Sequence, residues 1–88
     1  MSEIFKSEMN MGPQPIDALL AAHDIGNHDV VAADATRGAT HKAVGKARKG
    51  RRLTARMQRK ILAAVNHCLA AKGAAAARFE QLFNYIGP

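Results

Sequence analysis

At 88 residues, 48% of them apolar but with three Phe, one Tyr and no Trp, the chain has room for one small domain with an alanine-rich core. One cysteine excludes an intrachain disulfide, and no run approaches the roughly 18 apolar residues that cross a bilayer. The net charge is +6, and the opening MSEIFKSEMN has acids but no apolar h-region, so a cytoplasmic protein without a signal peptide is expected.

Residues 1–14 are weakly patterned and include MGPQP, Met11 to Pro15; they read as a flexible N-terminal arm. A single helical domain is expected over 15–88. Ile16, Leu19, Leu20 and His23 stand at i, i+3, i+4 and i+7, so a first helix should carry His23 as a half-buried packing residue. Pro15 suits its start, Asp17 favours its positive end, Gly26 is placed to stop it, and Ile25 should be buried in the turn.

Asn27 is an N-cap candidate for a second, short helix, HDVVAADA, with Asp29 in the first turn and Val30 and Val31 facing inward. TRGA breaks it. Thr40 caps a third helix, HKAVGKARK, with Ala39, Ala43, Val44 and Ala47 as its apolar stripe and Gly50 as its left-handed stop. Thr54 caps a fourth helix with Met57, Ile61, Leu62, Val65, Cys68 and Leu69 on one side, ended by Gly73. Phe79, Leu82, Phe83 and Ile86 then repeat the helical spacing, so a C-terminal amphipathic helix is expected at about 74–86. The expected fold is all-α with five helices. The C-terminal stripe should pack back on the first and fourth helices, with a homodimer contact as the other use for it.

Charge is unevenly laid out. Residues 1–36 hold six acids and one Lys, whereas residues 37–60 hold ten bases and no acid. Like charges three or four apart on a helix repel, so such a block calls for negative charge from a partner. Helices two and three are short and joined through a glycine-containing turn, which is the helix-turn-helix pattern, here at about 27–49. Ala32, Ala33, Ala43 and Ala47 would let the two helices cross closely. His41, Lys42, Gly45, Lys46 and Lys49 fall on the outer face of the third. Gly45 costs that helix about 1 kcal/mol relative to Ala. Its use is either close approach of a partner or relief of helix packing.

In Ile25, Gly38, Thr40, Val44 and Ala47, and then RKGRRLT (Arg48 to Thr54) and ILAAVN (Ile61 to Asn66), the chain resembles the λ-repressor/Cro-like DNA-binding family over about residues 16–66. The step from Val30 and Val31 to Gly38 is longer than in that pattern, which calls for a longer second helix or a wider turn. The resemblance implies that the third helix enters the major groove of duplex DNA, with His41, Lys42 and Lys46 reading bases. Arg37, Thr40, Lys49, Arg51, Arg52, Arg56, Arg59 and Lys60 would contact the backbone. Dimerisation on a symmetric site is implied as well.

The function expected is therefore a small transcriptional regulator that binds specific duplex sequences. Structured RNA or the ribosome, non-specific architectural binding, and docking on an acidic protein are the alternatives. The absence of aromatics in the basic segment argues against single-stranded RNA. His23, His28, His41, His67 and Cys68 show no metal-ligand spacing. No Ser or Cys sits in a nucleophile setting, and no glycine-rich phosphate loop is present. An enzyme, a metal, a cofactor and a small-molecule substrate are not expected.

Overall fold

The computed structural model describes residues 10–88; the part of the expected arm over 1–9 lies outside the described residues. Those described form four α-helices: α1 Pro15–Ala22, α2 Asn27–Ala33, α3 His41–Lys49 and α4 Ala55–Ala71. A single 3-10 turn, Phe79–Gln81, follows. The only β pairing among the described residues is an isolated antiparallel bridge between Asn10 and Arg51. The fold is all-α.

Local rules place most helix ends. Thr40 Oγ1 accepts the Ala43 N–H at 3.0 Å, and Thr54 Oγ1 accepts that of Met57 at 3.1 Å. Each satisfies an amide that the first helical turn leaves without a partner. Gly50 closes α3 at φ +81°, the left-handed region where a side chain is disfavoured, and a Cβ there would also strike the Gly12 carbonyl. Gly73 follows the α4 cap residue Lys72 at φ +72°.

Two ends differ from expectation. Asp24 (φ 54°), not Gly26, takes the left-handed turn after α1, and His23 is exposed there as the cap residue rather than half-buried. Gly26, not Asn27, is the N-cap of α2, because the Asp29 carboxylate accepts the Gly26 N–H at 2.8 Å. Asn27 becomes the first helical residue, and its Oδ1 accepts from Arg48 Nη1 at 2.9 Å.

α2 packs on both α3 and α4, while α1 packs on α3 and the 3-10 turn. Ile16 and Leu20 from α1, Val30 from α2, Val44 from α3 and Ile61, Val65 and Leu69 from α4 meet in one core with Ile25. Val31, Ala33, Met57 and Leu62 pack at its margin, whereas Ala32 is exposed and takes no part in the helix crossing.

The C-terminal helix expected at about 74–86 does not form. One 3-10 turn stands in otherwise irregular chain. Side chains of α4 supply the hydrogen-bond partners that helical backbone would have found within itself. Asn66 brackets Ala77, accepting its N–H at 2.7 Å and donating to its carbonyl at 3.1 Å. Gln58, fully buried, donates to the Tyr85 carbonyl at 3.1 Å and accepts the Gly87 N–H at 2.8 Å. The Tyr85 hydroxyl accepts the Leu53 N–H at 2.9 Å and donates to the Arg51 carbonyl at 3.1 Å. Burial raises the phenol pKa, against the Leu53 amide and nearby Arg52, which keeps it a donor. Leu82 and Phe83 fill the core, so the segment does pack back on the domain, but Ile86 is left 77% exposed.

Residues 10–14 are not a free arm. The Met11 N–H donates to the Gly50 carbonyl at 2.7 Å, and the buried Gln14 side chain exchanges hydrogen bonds with Asn84 at 2.7 and 2.8 Å.

Candidate nucleic-acid interface

The third helix is held from behind by its small stripe. Ala43, Val44 and Ala47 are buried, so the residues between them must face out. Lys42, Lys46 and Lys49 lie on one side at helical spacing, with Gly45 among them. With His41 and Arg51 they line a shallow, open depression of about 390 Å³ that contains no carboxylate. A Cβ built on Gly45 meets no atom within 4 Å. This glycine therefore relieves no packing inside the protein, and its cost to the helix is not repaid by any neighbour.

A second depression adjoins the first through His41 and brings in Arg37 and Thr40. Thr40 is exposed, and its hydroxyl oxygen serves as the α3 cap while the O–H proton stays free to donate outward. One continuous strip thus joins Arg37, Thr40, His41, Lys42, Lys46, Lys49 and Arg51.

The connector between α2 and α3 that presents this strip is wider than a tight turn and is organised by one buried side chain. Asp34 accepts from the Thr36 hydroxyl at 2.7 Å, the Thr36 N–H at 3.0 Å and the Ala39 N–H at 2.6 Å. Burial alone would raise its pKa, but these hydrogen bonds, led by the Thr36 hydroxyl, outweigh it and hold the carboxyl below its ordinary range. Arg37 sits in the left-handed region at φ 58°. Gly38 has no positive φ; its lack of a side chain instead admits the Lys60 side chain, which lies where a Cβ would be.

The remaining expected contacts are not gathered into this strip. Lys60 is half-buried over Gly38, and Arg52 lies near the Tyr85 phenol. Arg56 and Arg59 are exposed on α4 and line neither depression. Arg48 stands apart from all of these. Its Nε lies 2.7 Å from Asp17 Oδ1 and it also donates to Asn27, so this one base of the block ties α3 to α1 and α2. The only other ion pair among the described residues, Arg78 with Glu80, is distant in sequence from the block.

One residue that the charge pattern misses joins the strip. The His28 ring, from α2, stacks on His41 with centroids 6.0 Å apart and planes at 26°. Cys68 is buried and donates to the Asp29 carbonyl at 3.4 Å; burial, then the Asp29 carboxylate, raises the thiol pKa against the pull of Lys72. A thiol held neutral in this way is a poor nucleophile.

Compared with models of protein families, with curated proteins and with solved structures, the chain matches none. No helix of the described residues is long and apolar enough to cross a membrane.

Proposed function

We propose that this protein is a helix-turn-helix binder of duplex DNA, acting as a small transcriptional regulator and carrying out no chemical step. The observation that carries this reading is the acid-free cationic depression along one face of α3, with an open glycine among its lysines. A helix with side chains is about 10–12 Å across, and the major groove of B-DNA is about 12 Å wide. An exposed helical glycine lets duplex atoms come closer to the α3 backbone than any side chain would permit.

In this reading α2, the Asp34-centred connector and α3 form the helix-turn-helix, in keeping with the λ-repressor/Cro-like resemblance. His41, Lys42 and Lys46 face base edges, Lys toward guanine O6 and N7. Arg37, Thr40, Lys49 and Arg51 hold phosphates beside them. Arg52, Arg56, Arg59 and Lys60 extend that contact from the α4 side. Arg56 lies in the first turn of α4, where the helix dipole disfavours a cation and a phosphate would offset the penalty. A homodimer through the C-terminal segment, where Ile86 is exposed, would match a two-fold site.

The test is a selection from a random duplex pool near physiological salt, with the bound fraction sequenced. An enriched motif is expected, and an inverted repeat within it would report the dimer. Retention without enrichment would reduce the role to a backbone clamp. Retention of structured RNA but no duplex would overturn the proposal.

A further inference from the structure

The His28–His41 stack is the feature of this surface that lysines and arginines do not account for. Both rings are exposed, one carried by α2 and the other by the first turn of α3. His41 faces Lys42, Lys46, Lys49 and Arg51 along α3, and Asp34 and Arg37 of the connector. His28 borders a hollow between α2 and α4, where Asp29, His67, Cys68 and Lys72 are its titratable neighbours. The two carboxylates in these surroundings are already engaged. Asp29 accepts the Gly26 N–H, and Asp34 is committed to three hydrogen bonds inside the connector.

Imidazole is the side chain whose ordinary titration falls between pH 5 and 8. In any pair of touching imidazoles, charge on one ring opposes charge on the other, and neighbouring cations add to the opposition. An arriving phosphate reverses the sign of that effect. A stacked partner also fixes the plane of a ring, so that its N–H groups point in set directions. We propose that His28 is a positioning residue for His41, and that the pair takes up a proton when DNA binds. The inference rests on the duplex-binding reading, extends the interface from α3 onto α2, and makes affinity depend on pH in the physiological range.

The experiment measures affinity for a selected duplex between pH 8 and pH 6 at constant ionic strength. It compares the full chain with H28A, H28F, H41Q and K42A. Titration calorimetry in two buffers of different protonation enthalpy counts the protons taken up. The wild-type affinity should rise as pH falls, by at most about tenfold per pH unit for one proton. H41Q and H28A should flatten that rise. H28F, which keeps a ring against His41 but cannot take a proton, should hold the pH 8 affinity better than H28A and show a smaller rise than wild type. K42A should weaken binding at every pH and leave the rise intact. Circular dichroism on these exposed-site variants confirms that the helices persist. A pH-independent wild-type affinity, or a rise unchanged in H28A and H41Q, would overturn the proton-linked pair while leaving duplex binding standing. Failure of the wild type to bind duplex at any pH would remove the functional reading itself and this inference with it.

Discussion

Gly45 separates what stabilises α3 from what the helix does. It is the fifth of nine helical residues, and a Cβ there meets nothing within 4 Å. Replacing it with alanine adds no clash and removes conformational freedom from the unfolded chain. The gain is about 0.5–1 kcal/mol, which in a domain of this size raises Tm by about 2–8 °C. Binding should move the other way. A methyl group among Lys42, Lys46 and Lys49 holds a docked surface away from the helix backbone, and a tenfold weaker Kd, about 1.4 kcal/mol, is expected. Thermal unfolding and a duplex titration on the same G45A preparation read both effects. A variant that is more stable yet binds as well as wild type would refute the close-approach argument. A less stable variant would refute the premise that this face of α3 is open.

Asp34→Asn should cost about 1–3 kcal/mol in urea unfolding at pH 7, because an amide offers one acceptor oxygen where the carboxylate uses both. The Asp34 pKa is lowered by folding, so its contribution is present above the unfolded value near pH 4 and is lost as pH falls through the lower folded value. Acid unfolding below about pH 4 should be shallower in the variant; equal slopes would count against it. Gln58→Ala leaves two tail backbone groups without their partner, costs about 2–4 kcal/mol and should speed hydrogen exchange at the Gly87 amide. Unchanged Gly87 protection would mean that the tail is held by its apolar contacts alone. Lys46→Ala should relax preference at one base position, whereas Arg52→Ala should weaken all sequences alike; uniform loss in both would erase the division into readers and phosphate holders. With about six phosphates neutralised, the log–log dependence of affinity on salt should have a slope near −5, and a slope near zero would exclude backbone contact.

The features legible from sequence are those set by neighbours within one turn. Thr40, Thr54, Gly50 and Gly73 do what short-range capping rules say. The buried stripe of α3 then dictates which lysines must face out. Asn27 shows where such rules stop. It is a good cap by residue type, but Arg48, 21 positions away, draws its side chain, and Asp29 serves Gly26 instead. The tail shows the same limit on a larger scale. Phe79, Leu82, Phe83 and Ile86 have helical spacing, yet nothing in that spacing reveals that Asn66, Gln58 and Tyr85 will offer hydrogen bonds to irregular backbone. Ile86, taken as part of the stripe, is exposed as a result. Within the candidate interface, charge density exposed the lysines but could not single out Arg48 as an internal tie. It also gave no hint that His28 would stack on His41, because that contact depends on how α2 and α3 cross.

The Gln14–Asn84 clasp joins residues 70 positions apart, and the Met11–Gly50 and Ala55–Pro88 backbone bonds draw the segments around it onto the loop between α3 and α4. Loop-closure entropy makes contacts of such long sequence separation late to form during folding. Bonds near chain ends are also the first to open in excursions from the native state. The lowest rung of partial unfolding thus frees residues 10–14 and 84–88 while α1 to α4 remain packed. Arg51 then loses both its bridge to Asn10 and the Tyr85 hydroxyl on its carbonyl. The C-terminal margin of the basic strip is consequently only as rigid as the two remote segments that brace it.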